Sequence, residues 1–350
     1  MVIRSFALTT VTACILAGCA SEGKQPADEP TDRTVVTAAD TASATIVPAS
    51  EARIDAFALR LDSGEVFRYR MTQSAVAGPD SAIAETKSSH TYLKRVKRVR
   101  SDGTMEIGMT FESIKVDAII RNRLTNQVLQ EQHYSSSDSS QRKDPKYAQF
   151  NALLGEEVTI TLTPQATIEE ISGIKPVVNR MLDVQTQLTP EMRDRARQGL
   201  ERQVEAAIYA TYTEQEYLRF PKKGIDSTQG WDFTADAPLM DLFMIHSEAK
   251  YHIDAVKEVK GHRIAEVTAT MKGSITTVPL PRTAPVQVKV GRSAIVGTGR
   301  TIIDVVKGFT ISKHNEVSTS VAATVRNTAT GQQEDVSQQT VMRYTVELLR

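Results

Sequence analysis

Cys14 and Cys19 are the only thiols in 350 residues, and their setting decides what each can do. Cys19 follows Ala17-Gly18, the small residues a peptidase needs ahead of a cut, so its sulfur is placed to take a covalent group. The other chemistry-bearing types do not converge. His90, His133, His246, His252, His262 and His314 include no pair at two- or four-residue spacing. His252 and His262 could meet across a turn at Lys260-Gly261, but no third ligand is near and no metal is expected. Asp304 with Glu316, and Glu169 with Glu170, are carboxylates that a solvated surface explains. There is no Gly-x-Ser-x-Gly elbow, His-Glu-x-x-His, phosphate loop or Cys-x-x-Cys. Gly291 to Gly299 lack the lysine of a phosphate loop and read as turns and a bulge. The expectation is therefore no catalytic residue, no cofactor and no enzyme.

Two clusters stand out from that background. Lys94, Arg95, Lys97, Arg98 and Arg100 fall within one predicted strand and would occupy both of its faces. Such cations suit anionic lipid headgroups or an envelope polymer, each contributing about 1 kcal/mol near a charged surface. They equally suit a charged edge strand that resists aggregation. Trp231, the single tryptophan, stands in a predicted loop with Phe220 and Phe233, where it would plug one end of a sheet or close a pocket.

The elements around Cys19 explain its setting. Arg4 supplies a positive start and Phe6 to Leu16 an apolar run too short to span a bilayer, which needs roughly 20 residues. With these flanks, Leu16-Ala17-Gly18-Cys19 resembles the lipobox of bacterial lipoproteins. The resemblance implies a diacylglycerol on the Cys19 sulfur, cleavage before it and acylation of the new amino group, for example by palmitate. The bilayer is then a partner through the acyl chains. Ala20 and Ser21 in place of an aspartate imply the outer membrane, with the domain in the periplasm. Residues 1–18 are thus expected to be a signal peptide. Residues 19–50, rich in Ala, Ser, Thr, Pro, Asp and Glu, are expected to be a disordered tether. Lys and Arg balance Asp and Glu at 42 each, which argues against nucleic acid as a partner.

Residues 51–350 form the expected β-rich domain. A first β-unit, 51–172, contains strands at His90 to Val99 and Thr104 to Val116 around the turn Ser101-Asp102-Gly103. Ile54 to Met71 is predicted as an opening hairpin. Helices are expected over 173–220. Thr189 is the N-cap and Pro190 the first turn of the second helix, which stripes Ala196, Leu200, Val204, Ala207 and Ile208 along one side. A second β-unit, 230–350, follows. His90 to Phe111 aligns with Lys250 to Met271, suggesting two similar units. The predicted fold is α+β: a strongly curved antiparallel sheet, an open half-barrel from two similar β-units packed on two central helices.

Phe220-Pro221-Lys222-Lys223-Gly224-Ile225 followed by Gly230-Trp231, with the β-units and mid-chain helices, resembles an uncharacterised family of bacterial lipoproteins whose domain has no assigned function. That family supplies no catalytic residue. Two readings of function remain: a lipoprotein that binds or carries a hydrophobic ligand against a concave apolar face, or a structural lipoprotein presenting a surface to an envelope protein.

Overall fold

The computed structural model describes residues 36–48, 50–52, 54, 57–79, 81–184, 187–209, 216–218, 220–221, 230–239, 243–278 and 286–349. Cys19, the signal region, most of the tether and Lys222 to Ile225 lie outside them. The strands are β1 (Thr45–Ile46), β2 (Val66–Gly78), β3 (Ala82–Val99), β4 (Met105–Asn122), β5 (Val128–Ser135), β6 (Glu157–Leu162) and β7 (Ile168–Ser172). After the helices come β8 (Gly230–Leu239), β9 (Phe243–Val259), β10 (His262–Thr277), β11 (Val286–Asp304), β12 (Thr310–Asn327) and β13 (Gln333–Leu348). The α-helices are α1 (Ala148–Asn151), α2 (Lys175–Asp183) and α3 (Pro190–Ile208).

All the strands belong to one antiparallel sheet, ordered β1-β9-β10-β11-β12-β13-β2-β3-β4-β6-β7, with β5 also on β4 and β8 on β9. The halves of the chain are not separate units. They merge where β13 pairs with β2, from Gln339 opposite Gly78 to Leu348 opposite Tyr69. Tight turns fix the registers: Lys260 and Gly261 both have positive φ (51° and 77°), the backbone of a two-residue hairpin whose twist matches the strands. β11 runs unbroken through Gly291 to Gly299, which were expected to end it. The one irregularity there is a bulge between Val290 and Arg292.

One end of the sheet is curled closed. Leu59 N donates to Pro164 O beyond β6 (2.7 Å), and its neighbour Arg60 N donates to Lys307 O in the β11–β12 turn (2.9 Å). Adjacent amides bring those two carbonyls within about 10 Å, although five strand spacings of about 4.8 Å separate β12 from β6 along the sheet. Phe57 to Leu61, predicted as a strand, is therefore a strap across the curl with no ladder of its own. Gly308 is required where the strap crosses: its φ is +77°, and a Cβ there would stand 2.2 Å from Ala58 O.

The predicted α+β layer of two central helices is overturned. The fold is overwhelmingly antiparallel strand, is not closed into a barrel, and among the described residues has three short helices rather than a central pair backing the sheet. α2 and α3 pack chiefly on each other. α2 follows β7 directly and sends Val177, Val178, Met181 and Leu182 into the core. α3 sends only Val204 and Ile208, while Ala196 and Leu200 are partly exposed. Its sequence explains this: Arg193, Arg195, Arg197, Arg202 and four acids leave a narrow apolar stripe. Thr189 caps it as its place before Pro190 predicts, accepting from Met192 N at 3.3 Å.

At its other boundary the folded body begins earlier than the composition of 19–50 implies. Val36 is wholly buried, Asp40 pairs with Lys260 at 2.7 Å, and β1 lies against β9. His90–Phe111 and Lys250–Met271, aligned in sequence, each lie in an antiparallel hairpin, β3–β4 and β9–β10, and a closer recurrence of hydrogen bonds is found at two turns. The turns at Arg121–Gln127 and Arg326–Gln332 are built alike, joining β4 to β5 and β12 to β13. In each, Asn122 or Asn327 accepts on Oδ1 from the amides two and three residues on (2.9 and 3.1 Å). Each asparagine N then donates to the glutamine carbonyl at 2.8 Å. The sequence signal is Arg-Asn-x-x-Thr-x-Gln, present twice.

Candidate functional site

The five cations of the β3 stretch do not make one surface. Lys94 points into the core and is 2 % exposed, so it cannot meet a headgroup. Lys97 pairs with Glu157 at 2.8 Å, and Arg98 and Arg100 share Glu106, the latter at 2.8 Å. The Arg98 and Arg100 guanidiniums hold the Glu106 carboxyl down at about 2. Arg95 is exposed on the outer face. The alternation of the strand, broken by a bulge between Val96 and Arg98, separates what the sequence places side by side.

Lys94 belongs instead to a buried polar cluster under the curl. Its Nζ lies 2.7 Å from Glu216 Oε2, which also accepts from Tyr92 OH at 2.8 Å. Tyr217 lies over the same ammonium, 4.7 Å from its ring centroid. The short segment 216–218, after α3, is tied down on its backbone too. Glu216 O accepts from Thr310 Oγ1 (2.7 Å) and Tyr217 O from Lys313 Nζ (3.0 Å). Burial lowers the Lys94 pKa against the opposing pull of Glu216, and raises those of Tyr69, Tyr92 and Tyr217 well above the ordinary phenol value. Glu216 Oε1 is buried without a hydrogen-bond partner. Sealed from solvent, this constellation fastens the post-helical segment to β3 and β12. Sequence reading missed it because a lone glutamate and scattered tyrosines carry no spacing signal.

Beyond the cluster the inward face of the sheet changes character row by row. Val267, Thr301, Lys313, Val346, Met71 and His90 form a fully buried row across β10 to β3, and burial pushes His90 down to about 3. The next row toward the open end is Ala269, Gly299, Asn315, Tyr344, Gln73 and Ser88, and Ser88 Oγ is buried without a partner. Then come Met271, Gly297, Val317, Met342 and Ala75, followed by Gly273, Ile295, Thr319, Thr340 and Ala77. These outer rows are mostly apolar, with Thr319 and Thr340 among them, and on β10 to β13 all but the buried Ile295 are only partly covered. The opposite face of the same strands carries ion pairs, Arg300 with Glu266 (2.8 Å) and Arg343 with Glu316 (2.6 Å), beside the exposed Val296.

Small side chains deepen a sheet surface without closing it. Among the described residues, the depression over Ala84, Thr86, Ala118, Ile120, Gln130 and Gln132 holds only about 20 Å³. A second cleft of about 290 Å³ lies between β5 and β6, where Thr110, Ser136 and Arg142 meet Phe111 and Leu154. Trp231 is on β8 rather than in a loop, stacked on Tyr251 (4.9 Å between centroids) and touched by Phe57 at 5.7 Å. His252 and His262 do not meet, since His252 faces Thr268 across the ladder and His262 faces Val259. His262 instead holds Asp304 at 2.9 Å, and Asp304 caps the β11–β12 turn. No cluster of three metal-ligating side chains is formed among the described residues, and no described helix is long and apolar enough to cross a membrane.

Residues 102–309 match the model of a family of unknown function, DUF6263. No curated protein matches the chain. Among solved structures, one of lipovitellin, "Lipid-protein interactions in lipovitellin", is similar at 10% identity and a TM-score of 0.39. It covers 83% of this chain, which spans 26% of the lipovitellin chain. Pseudomonas aeruginosa OccK5 (OpdH) and OccK7 (OpdD) are similar at 6% and 7% identity, with TM-scores of 0.19 and 0.22. Each alignment covers 83% of this chain, and 99% and 100% of the respective relative.

Proposed function

The chain belongs to the DUF6263 family of unknown function, and we propose that it is an envelope lipoprotein, anchored at Cys19, that holds a hydrophobic ligand on the inward face of its sheet. The observation that carries this reading is the contrast between the two faces of β10 to β13. One face bears Met271, Gly297, Val317 and Met342; the other carries the ion pairs of Arg300 with Glu266 and Arg343 with Glu316. A sheet face that serves only as surface gains nothing from apolar side chains left half-covered. An extended acyl chain lying over them would remove that area from water at about 25 cal/mol per Å². Met271 and Met342 supply adaptable contacts for such a chain. The ligand lies along the open surface formed by these rows. Binding rather than catalysis fits the sealing of the Lys94 and Glu216 cluster away from that face.

The test uses the chain from Ala20 onward, which keeps the whole contiguous core from Val36 to Leu348. Solvent extraction of the purified protein is expected to release bound lipid. Val317→Lys, on the apolar face, should lose most of it, whereas Thr298→Lys, on the charged face, should retain it with the same thermal midpoint. A wild-type protein free of lipid and unable to bind an acyl-chain probe would overturn the reading. For the anchor, Cys19→Ser in cells should abolish acyl labelling; labelling equal to wild type would refute it.

A further inference from the structure

We propose that the β4–β5 hairpin tip is a bilayer-docking element that seats the open end of the sheet on an anionic membrane surface. Leu124 at this tip is 89 % exposed, and Val128 and Leu129 on the return strand are 43 % and 56 % exposed. Arg121 and Arg123 flank the leucine. Where Arg68, Lys97 and Lys115 of the same sheet each hold a carboxylate, these two hold none among the described residues. The nearby Glu131 is engaged with His133 at 2.7 Å.

The twin turn shows that this composition is not a folding requirement. Arg326 to Gln332 repeats the two asparagine Oδ1 bonds of the tip and its backbone bonds within the turn, from Asn122 N to Gln127 O and from Asn126 N to Asn122 O, yet it has Ala329 in the place of Leu124 and Thr328 in the place of Arg123. Nothing in the turn therefore asks for a large apolar residue or a second cation. The frame is also rigid: Asn122 pins the amides of Leu124 and Thr125, and Arg123 N donates to Ser81 O of the adjoining hairpin at 3.1 Å. A fixed apolar side chain between two guanidiniums that hold no carboxylate among the described residues matches an anionic lipid interface, where the leucine enters the acyl boundary and the cations meet phosphates.

The tip stands at the end of the strands opposite the β9–β10 turn, where the N-terminal segment enters through Asp40 and β1. It is thus at the same open end of the sheet as the proposed ligand face, and the docking itself does not rest on the ligand reading. Vesicle flotation of the chain from Ala20 onward tests the docking itself. The wild type should float with vesicles of phosphatidylethanolamine and phosphatidylglycerol, and much less with phosphatidylcholine alone. Arg123→Glu should weaken binding at least about fivefold, and Leu124→Ser should also reduce it. Met192→Ser, an exposed apolar residue on α3, should leave it unchanged. Equal binding to both vesicle types, no binding by the wild type, or full binding by both tip variants would overturn the proposal. Lipid content measured on the same samples separates the two ideas: tip variants that keep bound lipid but fail to float leave the ligand face intact.

Discussion

Lys94 illustrates how a strand position decides what a charge is for. It sits in a run of five cations, yet the two-residue period turns it inward onto Glu216, buried among three phenols. Removing one member of a buried pair leaves the other charge uncompensated, which costs about 3 to 5 kcal/mol. Lys94→Met is therefore expected to lower the unfolding free energy by that amount. Adding Glu216→Gln to Lys94→Met should recover part of the loss, because no buried carboxylate then stands alone. Denaturant titration of the singles and the double measures the coupling. Strictly additive losses would show that the pair does not act as a unit. At the same scale, the proposal of Cys19 as a lipid anchor rests on its neighbours alone, since peptidase and acyl-transfer recognition act on a short linear stretch, and the Cys19→Ser labelling experiment is its test.

Among the elements, the helices differ most from expectation. Their periodicity and caps identify them correctly as helices, but a periodic stripe does not say how deeply it is buried. Leu182 of α2 is fully buried, whereas Leu200 of α3 only borders the core. Leu182→Ala should cost about 2 to 5 kcal/mol, and Leu200→Ala no more than about 1 to 2 kcal/mol, a difference that shows as separate denaturation midpoints. Equal losses would place α3 more deeply than described. The strands were legible wherever apolar alternation met a turn signal, as at Lys260-Gly261. β11 was not, because its glycines read as breaks when each is only a position on a rung; Gly297, for example, lies 3.2 Å from Met271 Cε at its missing Cβ.

At the scale of the whole molecule, the N-terminal segment and the strap from Phe57 to Leu61 hold the curled end together. Composition assigns residues 36–50 to a tether, but Val36 is buried and Asp40 is fixed by Lys260. A chain beginning at residue 51 should be less stable than one beginning at residue 20 by at least about 2 kcal/mol, roughly the burial of one valine together with its neighbours. Thermal unfolding of the two chains checks this, and identical midpoints would return the segment to the tether.

The sequence by itself determined the local facts: the strands whose side chains alternate, the turns with glycine or asparagine at positive φ, and the capped helix. Each depends on residues close along the chain, where steric and hydrogen-bonding preferences act directly. Tertiary structure alone decided that β13 joins β2 to make one sheet, that the strap closes its curl, that α3 stays at the margin, and that Lys94 meets Glu216. Those outcomes depend on which apolar faces find each other across hundreds of residues, and no local spacing encodes that choice.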